Sequence, residues 1–281
     1  MTTNINPGVI IGPGMSVRGS QALAPDGKYI VRAGSSAWQI KQDYPASANG
    51  VYWIQNSNIN SGDPVQIYAD MTTLGGGWTL LIQNAYRQDW DNSSILLRNS
   101  TNPPTSLVDF SGPLDATKDY SILGWADYIK KNVSAGQSTF DYMFDAAYRG
   151  RNGAAYTANT NYSFVATYDS SSFGDQYLGG VGFRKDITEL EHFPAGAPGD
   201  EGVTWSYNEN SVEGRMPYIG VEGGYFPGSN MLLGTNGADA SWWGTIIAKD
   251  AFTPAPWFGA GLSAGSSIGL DSPGIIWYWV R

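Results

Sequence analysis

Short apolar runs broken by glycine, proline and asparagine set the pattern of this chain, and few are long enough to make a helix. Val51-Tyr52-Trp53-Ile54 and Val65-Gln66-Ile67-Tyr68-Ala69 flank the turn sequence Asn60-Ser61-Gly62-Asp63-Pro64, which predicts a β-hairpin. Trp78-Thr79-Leu80-Leu81-Ile82-Gln83 follows a glycine run and predicts the next strand. Further strands are expected at residues 162–168, at 180–183 and in the closing run Ile275-Ile276-Trp277-Tyr278-Trp279-Val280. Two helices are predicted. One covers residues 121–131, where Ile122, Trp125, Ala126 and Ile129 share a face and two lysines end it. The other covers residues 140–147. No internal repeat or heptad is visible.

Residues 1–37 differ from the remainder. Asn6-Pro7-Gly8-Val9-Ile10-Ile11-Gly12-Pro13-Gly14 interleaves apolar pairs with breakers. Pro25-Asp26-Gly27 reads as a turn before a short strand, Lys28-Tyr29-Ile30-Val31-Arg32. The expectation is an extended N-terminal arm at 1–37 that attaches to other chains or oligomerises, followed by one domain at 38–281; a loose terminal extension is the other reading.

Composition sharpens this picture. With 281 residues, 42% hydrophobic and 14% aromatic, the chain can bury a sizeable core, while 36 glycines and 15 prolines favour turns and long loops. A net charge of −9 repels a phosphate backbone, so no nucleic-acid partner is expected. No run reaches the roughly 18 apolar residues of a membrane span, so no membrane insertion is expected. The absence of cysteine excludes disulfides and thiolate metal sites and suits folding in a reducing compartment. Residues 1–14 lack a basic region before an apolar run, so no signal peptide is expected.

Three segments carry a resemblance. Gly50-Val51-Tyr52-Trp53-Ile54, then Val65-Gln66-Ile67-Tyr68-Ala69-Asp70-Met71, then Gly75-Gly76-Gly77-Trp78-Thr79-Leu80 resemble, in order and spacing, the opening of fibrinogen-like domains. Ile219-Gly220-Val221-Glu222-Gly223-Gly224-Tyr225-Phe226-Pro227 and Asp239-Ala240-Ser241-Trp242-Trp243-Gly244-Thr245 resemble stretches of the intelectin lectins, a branch of that superfamily. The similarity covers roughly residues 41–281. It implies an α+β, β-rich domain with twisted antiparallel sheets, few short helices and long loops. Ala69 stands where the family carries cysteine. Pro217 and Gly228 fall near the positions of two intelectin calcium ligands, so that sugar–calcium site does not carry over. Cysteine-free versions of the domain resemble bacterial and phage tail-fibre or adhesin modules.

The glycine run has a physical reading of its own. Gly75-Gly76-Gly77 permits positive φ and close backbone approach, and Trp78 then buries a large ring as an anchor.

Candidate chemistry is sparse. His192, the sole histidine, lies in Glu191-His192-Phe193-Pro194 and reads as a loop residue without triad partners. Asp141, Asp145, Asp175, Glu189, Glu191 and Glu222 could in principle supply a glycosidase pair, but no motif distinguishes them from solvated acids. Asp200, Glu201, Asn208 and Asn210 form an oxygen-rich stretch that suits Ca2+, as the resemblance also implies for this part of the chain; ordinary solvated side chains are the alternative. Tryptophan and tyrosine stack on the C–H faces of sugars while amides and acids hold hydroxyls. Trp242 and Trp243, in a glycine-rich segment, are therefore the leading ligand-binding candidates, with Tyr225 shaping the pocket and Glu222, Asp239 and Asp250 as polar partners.

These readings lead to three functional expectations. The first is a non-enzymatic adhesin of a phage virion that binds host surface glycan, joins other virion proteins through its arm and forms a homo-oligomer. The second is a structural capsid-decoration or fibre subunit. The third is a glycan hydrolase.

Overall fold

A computed structural model describes residues 24–84, 96–107, 116–131, 139–146, 148–151, 153–159, 167–169, 187–193, 218–221, 230–236, 242–245, 257–258 and 275–281. After a 3-10 turn at Ile30–Arg32 comes helix α1 (Ala37–Asp43), capped by the Ser36 hydroxyl, which accepts from the Gln39 amide at 3.1 Å. Strands β1 (Gly50–Ile54), β2 (Val65–Asp70) and β3 (Trp78–Asn84) follow, then β4 (Tyr120–Ser121), helix α2 (Ala126–Ile129), β5 (Phe140–Ala146) and β6 (Gly153–Ala158). The remaining strands are β7 (Thr167–Asp169), β8 (Ile187–Phe193), β9 (Tyr218–Val221), β10 (Asn230–Asn236), β11 (Trp242–Thr245), β12 (Trp257–Phe258) and β13 (Ile276–Val280). The class is α+β and β-rich, as the sequence predicts.

The larger sheet has eight strands in the order β1-β2-β3-β13-β5-β6-β8, with β4 pairing β3 off that path. All its pairings are antiparallel. The predicted hairpin is present, with Val51 opposite Tyr68 and Trp53 opposite Gln66. Strand β3 lies between β13 on one side and β2 and β4 on the other, and every one of its seven residues is buried. Its middle, Leu80-Leu81-Ile82, is a continuous apolar run rather than an alternating one, as a strand buried on both faces requires. A second sheet has the order β12-β11-β10-β9-β7, with one parallel pairing, β7 to β9.

The core is aromatic. Trp78, Trp277, Trp279, Tyr120, Tyr142, Tyr156 and Phe144 are all buried. Burying such rings contributes roughly 25 cal/mol per Å2 of apolar surface removed from water, which makes this the main stabilising term.

Three local expectations change. Phe140–Ala146 form β5 rather than the helix expected over 140–147, although Phe140, Met143 and Phe144 would also share a helical face. Its alternation of Phe140, Tyr142 and Phe144 pairs with β6, where Tyr142 stacks on Tyr156 at 5.4 Å. The helix expected over 121–131 shrinks to α2 after a 3-10 turn, because Ser121 exchanges two backbone hydrogen bonds with Arg98. Ile122, Trp125, Ala126 and Ile129 are nevertheless the buried face. The strand expected over residues 28–32 is instead a bend followed by a 3-10 turn, Ile30–Arg32. Asp26 accepts the Lys28 amide at 3.0 Å and pairs with Arg32 at 2.9 Å, while Gly27 N–H closes on the Arg32 carbonyl at 2.8 Å. Local polar closure outweighs β propensity there.

That turn covers the open edge of the sheet. Trp53 N–H donates to the Gly27 carbonyl at 2.6 Å, Gly34 N–H to Trp53 at 3.0 Å and Gln55 N–H to Gly34 at 2.7 Å. An edge strand that would otherwise offer unpaired amides is thereby satisfied. Residues 1–23 of the expected arm lie outside the described residues.

Candidate functional site

The glycine run is built as its sequence implies. Gly75, Gly76 and Gly77 take φ of 87°, 78° and 82°, a run that glycine adopts without strain, after Leu74 at 49°. A Cβ on Gly76 would stand 2.1 Å from the Met71 carbonyl oxygen, and one on Gly77 2.8 Å from the Trp38 ring. The turn delivers Trp78 into the core, fully buried, with its indole N–H donating to the Thr73 carbonyl at 2.7 Å.

Two charged clusters lock the turn to the rest of the sheet. Asp70, at the end of β2, accepts from the Thr72 and Thr73 amides, each at 2.9 Å, and from the Thr73 hydroxyl at 2.6 Å. Burial works to raise its carboxyl, but these hydrogen bonds and Arg149 together hold it below the usual range. Arg149 bridges Asp70, at 2.8 Å, to Asp145, and its guanidinium lies 4.2 Å from the Trp279 ring centre. Asp145 also accepts from the Gly150 amide at 2.7 Å and the Trp279 indole at 3.1 Å. Burial pushes the Asp145 carboxyl up, against Arg149, the Gly150 amide and the indole.

In the second cluster Asp141 is the hub. It receives Arg281 Nε at 2.9 Å, Lys131 at 2.6 Å and the Thr157 hydroxyl at 2.7 Å. Arg281 also donates to the Leu74 and Gly76 carbonyls and lies 4.2 Å from the Trp78 ring centre. Asp141 and Asp145 were candidates for a catalytic pair. Both are buried and bound by cationic and amide donors, an arrangement that fixes a turn and a chain end rather than activating water. Sequence reasoning missed Asp70, Arg149 and Arg281. Only Asp141 and Asp145 of these clusters are singled out by the sequence, and nothing local to them marks Arg149 or Arg281 as their partners.

Trp242 and Trp243, in their glycine-rich segment, form part of strand β11, flanked by β10 and β12. Trp242 pairs with Asn236, and Trp243 pairs with Thr235 on one side and Phe258 on the other. Thr245 pairs with Trp257, so two neighbouring strands carry four aromatic positions. Glycine-rich flanks and strand-forming tryptophans compete in this segment, and β propensity wins. Tyr225, Glu222, Asp239 and Asp250 lie outside the described residues, as do Asp200, Glu201, Asn208 and Asn210 of the expected calcium site. Among the described residues no group of three or more His, Asp or Glu side chains could hold a metal ion. His192 lies in β8 opposite Ala154 rather than in a loop.

Among solved structures, lamprey fibrin D-dimer complexed with the peptide ligand Gly-His-Arg-Pro-amide is similar at 13% identity and a TM-score of 0.28, over 47% of this chain and 36% of that one. This chain thus spans about a third of that protein's length. The fibrinogen-like globe domain of human ANGPTL6 is similar at 12% identity and a TM-score of 0.30, over 62% of this chain and 88% of that one. No family model matches the sequence, and no curated protein matches it.

Proposed function

We propose that this chain is a non-enzymatic, fibrinogen-like binding domain of a phage virion that attaches to host surface glycan through the aromatic strand β11. The observation that carries the reading is the register of β11 and β12, which sets Trp243 opposite Phe258 and Thr245 opposite Trp257. Aromatic-dense positions suit stacking on sugar C–H faces. Trp242 and Trp243 are the stacking residues, Tyr225 shapes the pocket, and Glu222, Asp239 and Asp250 bind hydroxyls. The built glycine turn and buried Trp78 support the fibrinogen-like assignment that the motif order implies. The role of Asp141 and Asp145 in ion pairs supports binding over hydrolysis. Several copies would add avidity to weak single-site contacts.

The test is a glycan array probed with the purified protein and with a Trp242→Ala, Trp243→Ala double variant. Binding by the parent and its loss in a folded double variant is the expected result. Undiminished binding by the double variant removes this site from consideration.

A structural role in the particle is the second reading. It is favoured by a run of exposed apolar side chains at Tyr29, Ile30 and Val31, which suits contact with protein. Imaging of assembled particles separates the two, since a structural subunit buries its aromatic strands between chains and an adhesin projects them.

A further inference from the structure

Six large apolar side chains are exposed among the described residues, and three of them are consecutive: Tyr29 at 63%, Ile30 at 50% and Val31 at 88%. They do not sit on a loose tail. The Gly27–Arg32 hydrogen bond, the Asp26–Arg32 ion pair and the Trp53–Gly27 bond hold their turn against the sheet edge. A rigid apolar knuckle facing solvent is a ready contact surface, because little entropy is lost when it docks.

A cleft of about 360 Å3 opens beside it, with Lys28, Asp43, Tyr44, Pro45 and Ala46 in its lining. Lys28 immediately precedes the knuckle, so projection and recess are neighbours on one face. That adjacency is what an isologous contact requires: across a two-fold axis each copy inserts its knuckle into the other's cleft. The charges agree. Among the described residues the Lys28 ammonium forms no ion pair, and the Asp43 carboxylate takes only the Gln39 amide. Both are exposed. Facing copies would set Lys28 of each beside Asp43 of the other. The Ala24 carbonyl accepts from Arg32 and from the Tyr44 hydroxyl, so Ala24 is held at this same face.

We propose that residues 28–31 and the cleft beside them form a two-fold interface with a second copy of this chain. The inference rests on the homo-oligomer part of the function proposed above and is independent of the sugar.

The experiment is sedimentation velocity on the full-length protein across a micromolar concentration series. A concentration-dependent dimer is expected. Val31→Glu should weaken it at least 10-fold without lowering the thermal midpoint, since the side chain is exposed. Lys28→Glu and Asp43→Lys should each weaken it, because each homodimer then faces like charges. Mixing those two variants should restore the dimer, because both cross-axis pairs become opposite in sign. A wild-type monomer throughout, a trimer or larger ring, full association by Val31→Glu, or a mixture no tighter than its parts would each overturn the interface. Glycan-array binding, read on the same samples, reports separately on the functional proposal.

Discussion

The guanidinium of Arg281 reaches across 205 positions of sequence to donate to the carbonyl of Gly76 at 2.9 Å. The same nitrogen donates to the Leu74 carbonyl at 2.7 Å, while Nε holds Asp141 at 2.9 Å. One planar fork thus binds the glycine turn, strand β5 and the end of β13, with Trp78 beneath it at 4.2 Å. A lysine keeps the charge but offers neither the fork nor the flat face. Arg281→Lys is therefore expected to cost about 2 kcal/mol and Arg281→Ala about 3–5 kcal/mol, the cost of breaking a buried pair. Urea denaturation measures both; equal stability of the lysine variant and the parent would reduce the fork to a simple charge.

The turn itself yields a graded prediction. Alanine at Gly75 would meet nothing nearer than Arg281 Nη1 at 3.9 Å, so it bears only left-handed strain, about 1–2 kcal/mol. Alanine at Gly76 adds a collision with the Met71 backbone at 2.1 Å, which cannot move as a side-chain tip can. Gly76→Ala is expected to cost about 3 kcal/mol or more. Gly77→Ala should fall between, since its clash is with a ring. Thermal midpoints of the three variants should rank accordingly, and a mildest effect at Gly76 would contradict the geometry.

How much of this was legible follows from where each interaction comes from. The hairpin of β1 and β2 is local: period-two apolar residues on either side of a glycine–proline turn encode it. The glycine run is local too, because consecutive positive φ values leave few other residues able to stand there. Strand β5 was not legible. Phe140, Met143 and Phe144 match a helical face as well as Phe140, Tyr142 and Phe144 match a strand. What decides is pairing with β6 and β13, the latter more than 130 residues away in the chain. The charged clusters were hidden for the same reason. Asp145 looks like a solvated acid until Arg149 and Trp279 are folded over it. The strand at Trp242 and Trp243 was not legible because its flanks are glycine-rich, whereas β10 and β12 provide partners on both edges.

Arg149 offers a pH-dependent test. Asp70, whose carboxyl lies below the ordinary range, contributes stability that is present above about pH 4 and lost as pH falls through its folded value. Asp145 runs the other way. Its raised folded value means the native state holds the proton more tightly, so its contribution is full below about pH 4 and lost as pH rises through that value. Arg149→Met leaves burial at Asp145 less opposed. The variant should lose about 3–5 kcal/mol near neutral pH, and the gap to the parent should narrow as pH falls from neutral toward about 4 and Asp145 takes up a proton. Paired urea melts at the two pH values read this; a gap independent of pH would mean that Asp145 is not the group left unpaired.

Lys130 gives the mirror case on the basic side. Its ammonium is buried, 3.0 Å from Asp127 and 4.5 Å from the Phe140 ring centre. Burial lowers its pKa, with Asp127 opposing, so the unfolded chain binds the proton more readily than the native one. Stability from this group is accordingly least when both states are protonated and rises as pH climbs through the folded value toward about 10.4. Methionine keeps the length of the stem and removes the charge that burial penalises. Lys130→Met is expected to lie within about 1 kcal/mol of the parent at pH 7. Its stability should also lack the parent's rise as pH climbs toward about 10.4. A loss of several kcal/mol at pH 7 would instead make the Asp127 pair a net stabiliser, and the two melting curves against pH decide between these outcomes.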